Sequence, residues 1–386
     1  MQKFPIKLEK SLEKRKQQDA VRKLCDSTGL VDFSSNDYLG FASCRDISEE
    51  AARILESGKL LNGATGSRLL SGNHDLFAIA EKEICTVFRS EAALIFNSGY
   101  DANLGFFSSI PQRGDMILYD EHAHASIRDG IRLSDARSIK FSHNDLEDLE
   151  KKLIRHIGSS GNGEIFVVTE SVFSMDGDSP DIKGLIDLEE KYGFFLILDE
   201  AHATGVMGEE GRGIVAGMQL QDKVFARILT FGKALGSHGA AILGSENLKQ
   251  YLVNFSRSFI YTTALPPHSV ATIIAVSRNL HTEGKKEVEK LKNNIDYFLQ
   301  VVKDLELQQY FITGPSAIQC CLIPGNARVK NLAAQLKRTG FDVKPILSPT
   351  VPAGKERLRF CLHSYNSQVD IKSVLSLVAK NMISLQ

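Results

Sequence analysis

Six short apolar runs constrain the fold more than any other feature of the chain. They are Ala93–Phe96, Met116–Tyr119, Ile165–Thr169, Phe194–Leu198, Phe225–Thr230 and Ala240–Leu243. Several are continuously apolar, as strands covered on both faces are, whereas a strand wet on one face alternates. Helical patterns lie between them. Leu146, Leu149, Leu153 and Ile154 share one helical face, and Asn144 with Glu147 resembles a capping box at its start. Asp181–Tyr192 reads as another helix, closed by Gly193. Strands alternating with helices predict an α/β fold with a mainly parallel sheet.

At 386 residues the chain exceeds one compact core of ordinary size. The charged opening stretch Leu8–Lys23 reads as an exposed helix. The character changes near Pro266-Pro267. A long charged helix follows at about Lys285–Leu305, then a strand Ala317–Ile323, a helix ending near Gly340, a strand Arg357–Leu362 and a last helix from about Val369. The expected organisation is an N-terminal helix and arm (1–45), a large α/β domain (46–284) and a smaller C-terminal α+β domain (285–386). Ser159–Gly163 reads as a local flexible loop.

Composition excludes several classes. The formal net charge is -1, so neither nucleic acid nor an anionic membrane is an expected partner. The stretch Met1–Gln18 has no apolar core of a secretory signal, and no run nears the ~18 residues of a membrane span. Cysteines stand at 25, 44, 85, 320, 321 and 361 without a C-x-x-C pair. The expectation is reduced thiols in a cytoplasmic enzyme, with no disulfide framework and no metal site.

Two residues carry the chemistry. Lys233 lies in the small-residue stretch Thr230-Phe231-Gly232-Lys233-Ala234-Leu235-Gly236, just after an apolar run. Asp199 closes another such run and opens Asp199-Glu200-Ala201-His202. Open parallel sheets bind ligands outside the carboxyl ends of their strands, so an amine and a carboxylate are delivered to one place. Pyridoxal phosphate (PLP) chemistry wants both: the lysine condenses with the aldehyde, and the aspartate pairs with the pyridinium nitrogen. Taken singly, Lys233 reads equally as a surface lysine and Asp199 as a helix N-cap. Asp-Glu-Ala-His also spells a helicase-type motif, but that class needs G-x-x-x-x-G-K-[ST]. Here Arg227 replaces the first glycine and Ala234 follows the lysine.

Other positions surround this pair. His202 can support the Asp199 carboxylate or the ring oxygen of the cofactor. His124, in His122-Ala123-His124-Ala125-Ser126, reads as a ring stacked on the cofactor rather than a metal ligand. Ser98-Gly99-Tyr100 follows a strand and opens a helix, a natural phosphate site. Ser174 and Thr230 offer hydroxyls. Arg357 and Arg359 point to one strand face, either solvated or clamping a substrate carboxylate.

Together these segments, with Ser34-Ser35-Asn36-Asp37-Tyr38-Leu39-Gly40 and Val172-Phe173-Ser174-Met175-Asp176-Gly177, resemble the α-oxoamine synthases. These are fold-type I PLP-dependent transferases, aspartate aminotransferase-like. The similarity runs from about residue 8 to the end. It implies that Lys233 is the covalent anchor and proton shuttle, that Asp199 holds the pyridinium and that His202 assists. It implies His124 stacked on the ring, and Gly99, Tyr100, Ser174 and Thr230 on the cofactor and its phosphate. Thr263 would reach the phosphate of a neighbouring subunit in a homodimer with shared sites. Arg22, Asn36, Thr350 and Arg359 would contact substrates: an amino acid and an acyl thioester, the latter on CoA or an acyl carrier protein. Within the family, Ile260-Tyr261-Thr262-Thr263, Ser316-Ala317-Ile318-Gln319 and Pro349-Thr350-Val351-Pro352-Ala353-Gly354 favour members joining L-alanine to a pimeloyl thioester, with glycine acetylation the nearest rival. Asn62–Arg68 would border the acyl group. A catalytically silent partner subunit is the alternative of another class; such a chain would be expected to lose the lysine.

Overall fold

The computed structural model describes residues 4–22, 24, 28–56, 62–158 and 163–383. Most of the expected loop Ser159–Gly163 therefore lies outside the described residues. The chain divides into two compact units. The larger holds Asn36–Ser174 and Ser179–Glu289; the smaller holds Met1–Ser35, Met175–Asp178 and Lys290–Gln386.

The larger unit is built on a seven-stranded sheet. Its strands are β1 (Ala92–Phe96), β2 (Met116–Asp120), β3 (Arg137–Phe141), β4 (Ile165–Glu170), β5 (Phe195–Asp199), β6 (Ala226–Thr230) and β7 (Ala240–Gly244). They lie in the order β1-β7-β6-β5-β4-β2-β3. From β3 to β6 every pairing is parallel, while β7 runs antiparallel to both β6 and β1. All six apolar runs are strands of this sheet. The seventh, β3, escaped the reading because it is an edge strand whose first four residues are exposed.

Helices cover both faces of the sheet. Successive strand residues point to opposite sides, so Ile197 enters one core while Leu196 and Leu198 enter the other. The first core takes Ala102, Phe106 and Phe107 from α1 (Gly99–Phe107) and Ile127 and Ile131 from α2 (Ala125–Leu133). The second takes Leu149 and Leu153 from α3 (Leu146–Ile157) and Ile182, Leu185 and Ile186 from α4 (Ile182–Tyr192). Gly193 ends α4 in the left-handed region at φ 67°. The start of α3 differs from the reading. Asp145, not Asn144, is its N-cap, accepting from the Asp148 N–H, and Asn144 turns left-handed at φ 53°. Both residues are common cap formers, and only backbone geometry separates them.

The smaller unit carries a four-stranded antiparallel sheet. Its strands are β8 (Phe311–Ile312), β9 (Ile318–Leu322), β10 (Lys344–Ile346) and β11 (Arg357–Cys361), in the order β10-β11-β9-β8. Helices Asn326–Arg338 and Gln368–Ile383 belong to the same unit. Val31–Asp32 pairs in parallel with Phe341–Asp342. Helix Ile6–Gln17 buries no residue, in keeping with its charge. No helix among the described residues is long and apolar enough to cross a membrane.

Candidate active site

The carboxyl ends of β4, β5 and β6 each deliver a polar side chain to one face of the sheet. Alternation sets that face: Glu170 follows Val168, Asp199 follows Ile197 and Thr230 follows Ile228, and all three apolar partners pack into the first core. In the parallel register Glu170 lies opposite Asp199, and Asp199 opposite Ile228.

Lys233 stands in the loop that continues β6. That loop is a closed turn: the Phe231 N–H donates to Gly239 O at 2.9 Å, the Ser237 N–H to Phe231 O at 2.8 Å and the Gly236 N–H to Lys233 O at 2.8 Å. Gly236 is left-handed at φ 56°, and a Cβ there would lie 2.1 Å from the Ala42 nitrogen. Only glycine fits this turn. The lysine amine meets His202 Nε2 at 2.8 Å. His202 in turn meets the hydroxyl of fully buried Tyr38 through Nδ1, also at 2.8 Å, and that hydroxyl donates to Asn36 Oδ1 at 3.1 Å. With the phenol hydrogen on Asn36, the His202 Nδ1–H donates to Tyr38. Nε2 is then left as an acceptor facing Lys233.

Asp199 is held by two donors. Asn103 Nδ2 reaches its Oδ2 at 2.9 Å, and the Ala201 N–H reaches its Oδ1 at 2.9 Å. Asn103 Nδ2 also donates to Ser126 Oγ at 3.0 Å. Ser126 sits beneath His124, the N-cap of α2: its N–H donates to His124 Nδ1 at 3.2 Å, and its Oγ lies 2.8 Å from the same nitrogen. Two donors aimed at Nδ1 require a lone pair there, so His124 is neutral with its proton on Nε2. Its pKa is lowered to match. The cavity walls shut out water, the Asp199 carboxylate opposes this, and the Lys233 ammonium adds to it. Glu170 shifts the other way: burial, then the Asp199 carboxylate, push it well above the usual carboxylate range.

A cavity of about 190 Å³ joins these groups. Seven residues singled out in the sequence line it: Gly99, Tyr100, His124, Asp199, His202, Thr230 and Lys233. Asn103, Ser126 and Glu170 line it too and had been given no role. Asn103 stands one helical turn after Gly99. Glu170 ends a buried strand as Asp199 does, so the same signal marked it.

The remaining candidates are not among the residues that line this cavity. Ser174 is half-buried beyond β4 and does not line the cavity. Thr263 is exposed, and its carbonyl accepts from Asn97 Nδ2 at 2.7 Å. Arg22, Thr350 and Arg359 belong to the smaller unit, where the first two are exposed and Arg359 is buried in β11. Arg357 is buried as well and ion-pairs with Asp176, so this strand face is not solvated.

The groups present suit a PLP molecule. An amine and a carboxylate share one cavity with a neutral imidazole on its wall. The start of α1 meets Thr230 beside it with little between: a Cβ on Gly99 would come within 3.7 Å of that threonine. The buried Asn103 Oδ1 has no hydrogen-bond partner. Among the described residues, no cluster of three or more His, Cys, Asp or Glu is arranged for a metal ion.

Comparison with known proteins agrees with this geometry. The family model of class I and II aminotransferases matches residues 28–376. An 8-amino-7-oxononanoate synthase from Emericella nidulans is 38% identical, over 96% of this chain and 94% of its own length. Among solved structures, a serine palmitoyltransferase variant from S. paucimobilis with PLP–myriocin bound has a TM-score of 0.89 at 26% identity, covering 99% of both chains. An 8-amino-7-oxononanoate synthase from Francisella tularensis has a TM-score of 0.78 at 28% identity, covering 93% of this chain and 99% of that one. The chain belongs to the class I and II aminotransferase family, with the fold-type I PLP-dependent transferase fold. Its branch of that family is the α-oxoamine synthases, acyltransferases that use PLP.

Proposed function

We propose that this protein condenses L-alanine with a pimeloyl thioester to give 8-amino-7-oxononanoate, CO₂ and the free thiol, a step of biotin synthesis. One observation carries the reading. Lys233, Asp199 and a neutral His124 share a cavity, in a chain 38% identical to a synthase of that name over nearly its full length.

PLP, when bound, supplies an aldehyde that joins a primary amine and a cationic ring that draws electrons from the α-carbon of an amino acid. The chain supplies the rest. Lys233 Nζ is the amine. It also takes the α-proton of alanine and later returns a proton to the same carbon. The His202 Nε2 lone pair, 2.8 Å away, receives a proton from the lysine so that it can act as a base. Asp199, fixed in place by its two donors, would hold the protonated ring nitrogen of the bound cofactor. His124 would stack against the bound cofactor, and its neutral state would avoid a second positive charge there. Gly99, Tyr100, Thr230 and the N–H groups opening α1 take the phosphate, with Ser174 as a further hydroxyl. Arg22, Asn36, Thr350 and Arg359 serve the substrates, with Arg359 on the amino-acid carboxylate. The α-carbon attacks the thioester carbonyl, the thiol departs, and the carboxyl carbon leaves as CO₂. Thr263 serves the neighbouring site of a homodimer in the cytoplasm.

The test is thiol release from a panel of acyl thioesters, on CoA and on carrier protein, with alanine and with glycine. Alanine with the pimeloyl group is expected to be fastest. Faster turnover of glycine with acetyl-CoA would overturn the assignment and make the chain a glycine C-acetyltransferase.

A further inference from the structure

Lys233 can act as a base only after it has shed a proton, and four side chains form one line of hydrogen bonds that ends on it. Asn36 Oδ1 lies 3.1 Å from the Tyr38 hydroxyl, and that hydroxyl lies 2.8 Å from His202 Nδ1. His202 Nε2 lies 2.8 Å from Lys233 Nζ. All four residues belong to the larger unit. His202 and Lys233 line the cavity, whereas Tyr38 is fully buried and has no part in the proposed chemistry. Its place is fixed by the backbone. The Gly40 N–H donates to Asp37 O at 3.0 Å, and Gly40 is left-handed at φ 71°, so Asp37–Gly40 is a closed turn. Phe41 and Ala42, the next two residues, are those against which Gly236 of the lysine loop presses. The turn that carries Tyr38 and the loop that carries Lys233 are thereby locked together.

The direction of this line decides what His202 can do. An amide oxygen only accepts, so the phenol hydrogen lies toward Asn36 and the phenol oxygen accepts from the His202 Nδ1–H. Nε2 then keeps its lone pair. The reverse direction would put the hydrogen on Nε2, and His202 could take no proton from an ammonium there. Lys233 does not fix the direction, because its nitrogen donates when charged and accepts when neutral. We propose that Tyr38 is a positioning residue for the reaction: it holds the proton of neutral His202 on Nδ1 and so keeps Nε2 ready to take a proton from Lys233. The inference rests on the PLP reading above, in which Lys233 is the base. In the transfer one N–H bond of the ammonium breaks and one forms on Nε2. The lysine nitrogen regains its lone pair, and the positive charge passes to the imidazole ring. Tyr38 accepts from Nδ1–H before and after, so no group has to turn as the proton moves.

The experiment has two arms. The first reads the tautomer in apoprotein carrying isotope-labelled histidine, by long-range proton–nitrogen NMR in mildly alkaline buffer, where imidazole is neutral. Loss of signals in His202→Phe assigns that ring. Wild type and Lys233→Ala are compared, each with and without Tyr38→Phe. Both proteins that keep Tyr38 are expected to carry the His202 proton on Nδ1. Adding Tyr38→Phe is expected to move both ring-nitrogen signals toward a mixture of tautomers. A proton on Nε2 in either protein that keeps Tyr38 overturns the proposal. So does a Lys233→Ala protein whose tautomer is unchanged by Tyr38→Phe. Should the variants not fold, the tautomer in wild type decides alone. The second arm follows exchange of the alanine α-proton in deuterated water with PLP bound. Tyr38→Phe should slow it about tenfold, the scale of one buried hydrogen bond. In a His202→Phe protein the same change should slow it no further, because the tyrosine acts through the imidazole. Equal slowing in both backgrounds overturns the positioning role. Wild type that binds no PLP sinks the cofactor reading, while the tautomer, read without PLP, still judges Tyr38.

Discussion

At the scale of single residues, Asp199 and His124 divide the electrostatic work of the cavity. Asp199 is tied down by Asn103 and Ala201, so its carboxylate is preorganised for a cation. Replacing it with asparagine keeps the size and removes the charge. Asp199→Asn should slow exchange of the alanine α-proton with deuterated water by at least about a hundredfold, the scale of a lost charge-stabilising or acid–base contribution. Proton NMR of alanine incubated with the protein and PLP measures it, and unchanged exchange contradicts the role of Asp199. Much at this scale was legible in the chain. Lys233, Asp199 and Thr230 are placed by apolar strands that end where they begin. Asn103 was not, because a helical asparagine carries no mark of the carboxylate it will meet. The tautomers of His124 and His202 were also invisible, since Ser126 and Tyr38 set them only once folded.

At the scale of elements, the lysine loop and β6 depend on contacts with segments distant in sequence. Gly236 presses against the backbone of Phe41 and Ala42, where a Cβ would come within 2.4 Å of the Phe41 carbonyl carbon. Gly236→Ala should therefore cost about 1–3 kcal/mol and displace Lys233, whose carbonyl that turn holds. Thermal melting and PLP affinity should fall together; a variant with both unchanged contradicts the claim that this turn fixes the lysine. Arg227 on β6 is the second case. It donates to the Phe88 and Arg89 carbonyls at 2.6 and 2.8 Å, at the end of helix Asp75–Phe88, and faces fully buried Glu200 at 3.6 Å. Arg227→Ala leaves that carboxyl without its cation and should destabilise by about 3–5 kcal/mol in denaturant unfolding. The double variant Arg227→Met with Glu200→Gln should recover much of the loss, and no recovery would sink the ion-pair explanation. The strands themselves were readable from their apolar runs, except exposed β3. Arginine in β6 read only as the residue that breaks a phosphate-loop pattern, since its partners sit 27 to 139 residues away.

At the scale of the whole molecule, the smaller unit has its own acid limit. The Asp32 carboxyl is pushed up by burial, but hydrogen bonds from Ser35 and Ser34 win and hold it at about 2. A depressed carboxyl stabilises fully above its ordinary 3.8 and loses that contribution as pH falls toward 2. Wild type should exceed Asp32→Asn by on the order of 1 kcal/mol near neutrality, discounted for partial exposure, and the gap should close below pH 3.8. Acid unfolding of both proteins checks this, and a gap that persists at the lowest pH contradicts it. The sequence readily showed an α/β body followed by an α+β tail. The grouping of residues 1–35 with 290–386 was not readable, because it rests on pairs such as Val31 with Phe341, hundreds of positions apart. The most direct test of the whole account is to incubate the protein with PLP, fix the adduct with borohydride, digest it and locate the added mass. The account predicts the mass on Lys233 and its loss in Lys233→Ala; a label on another lysine, or none in the wild type, would contradict it.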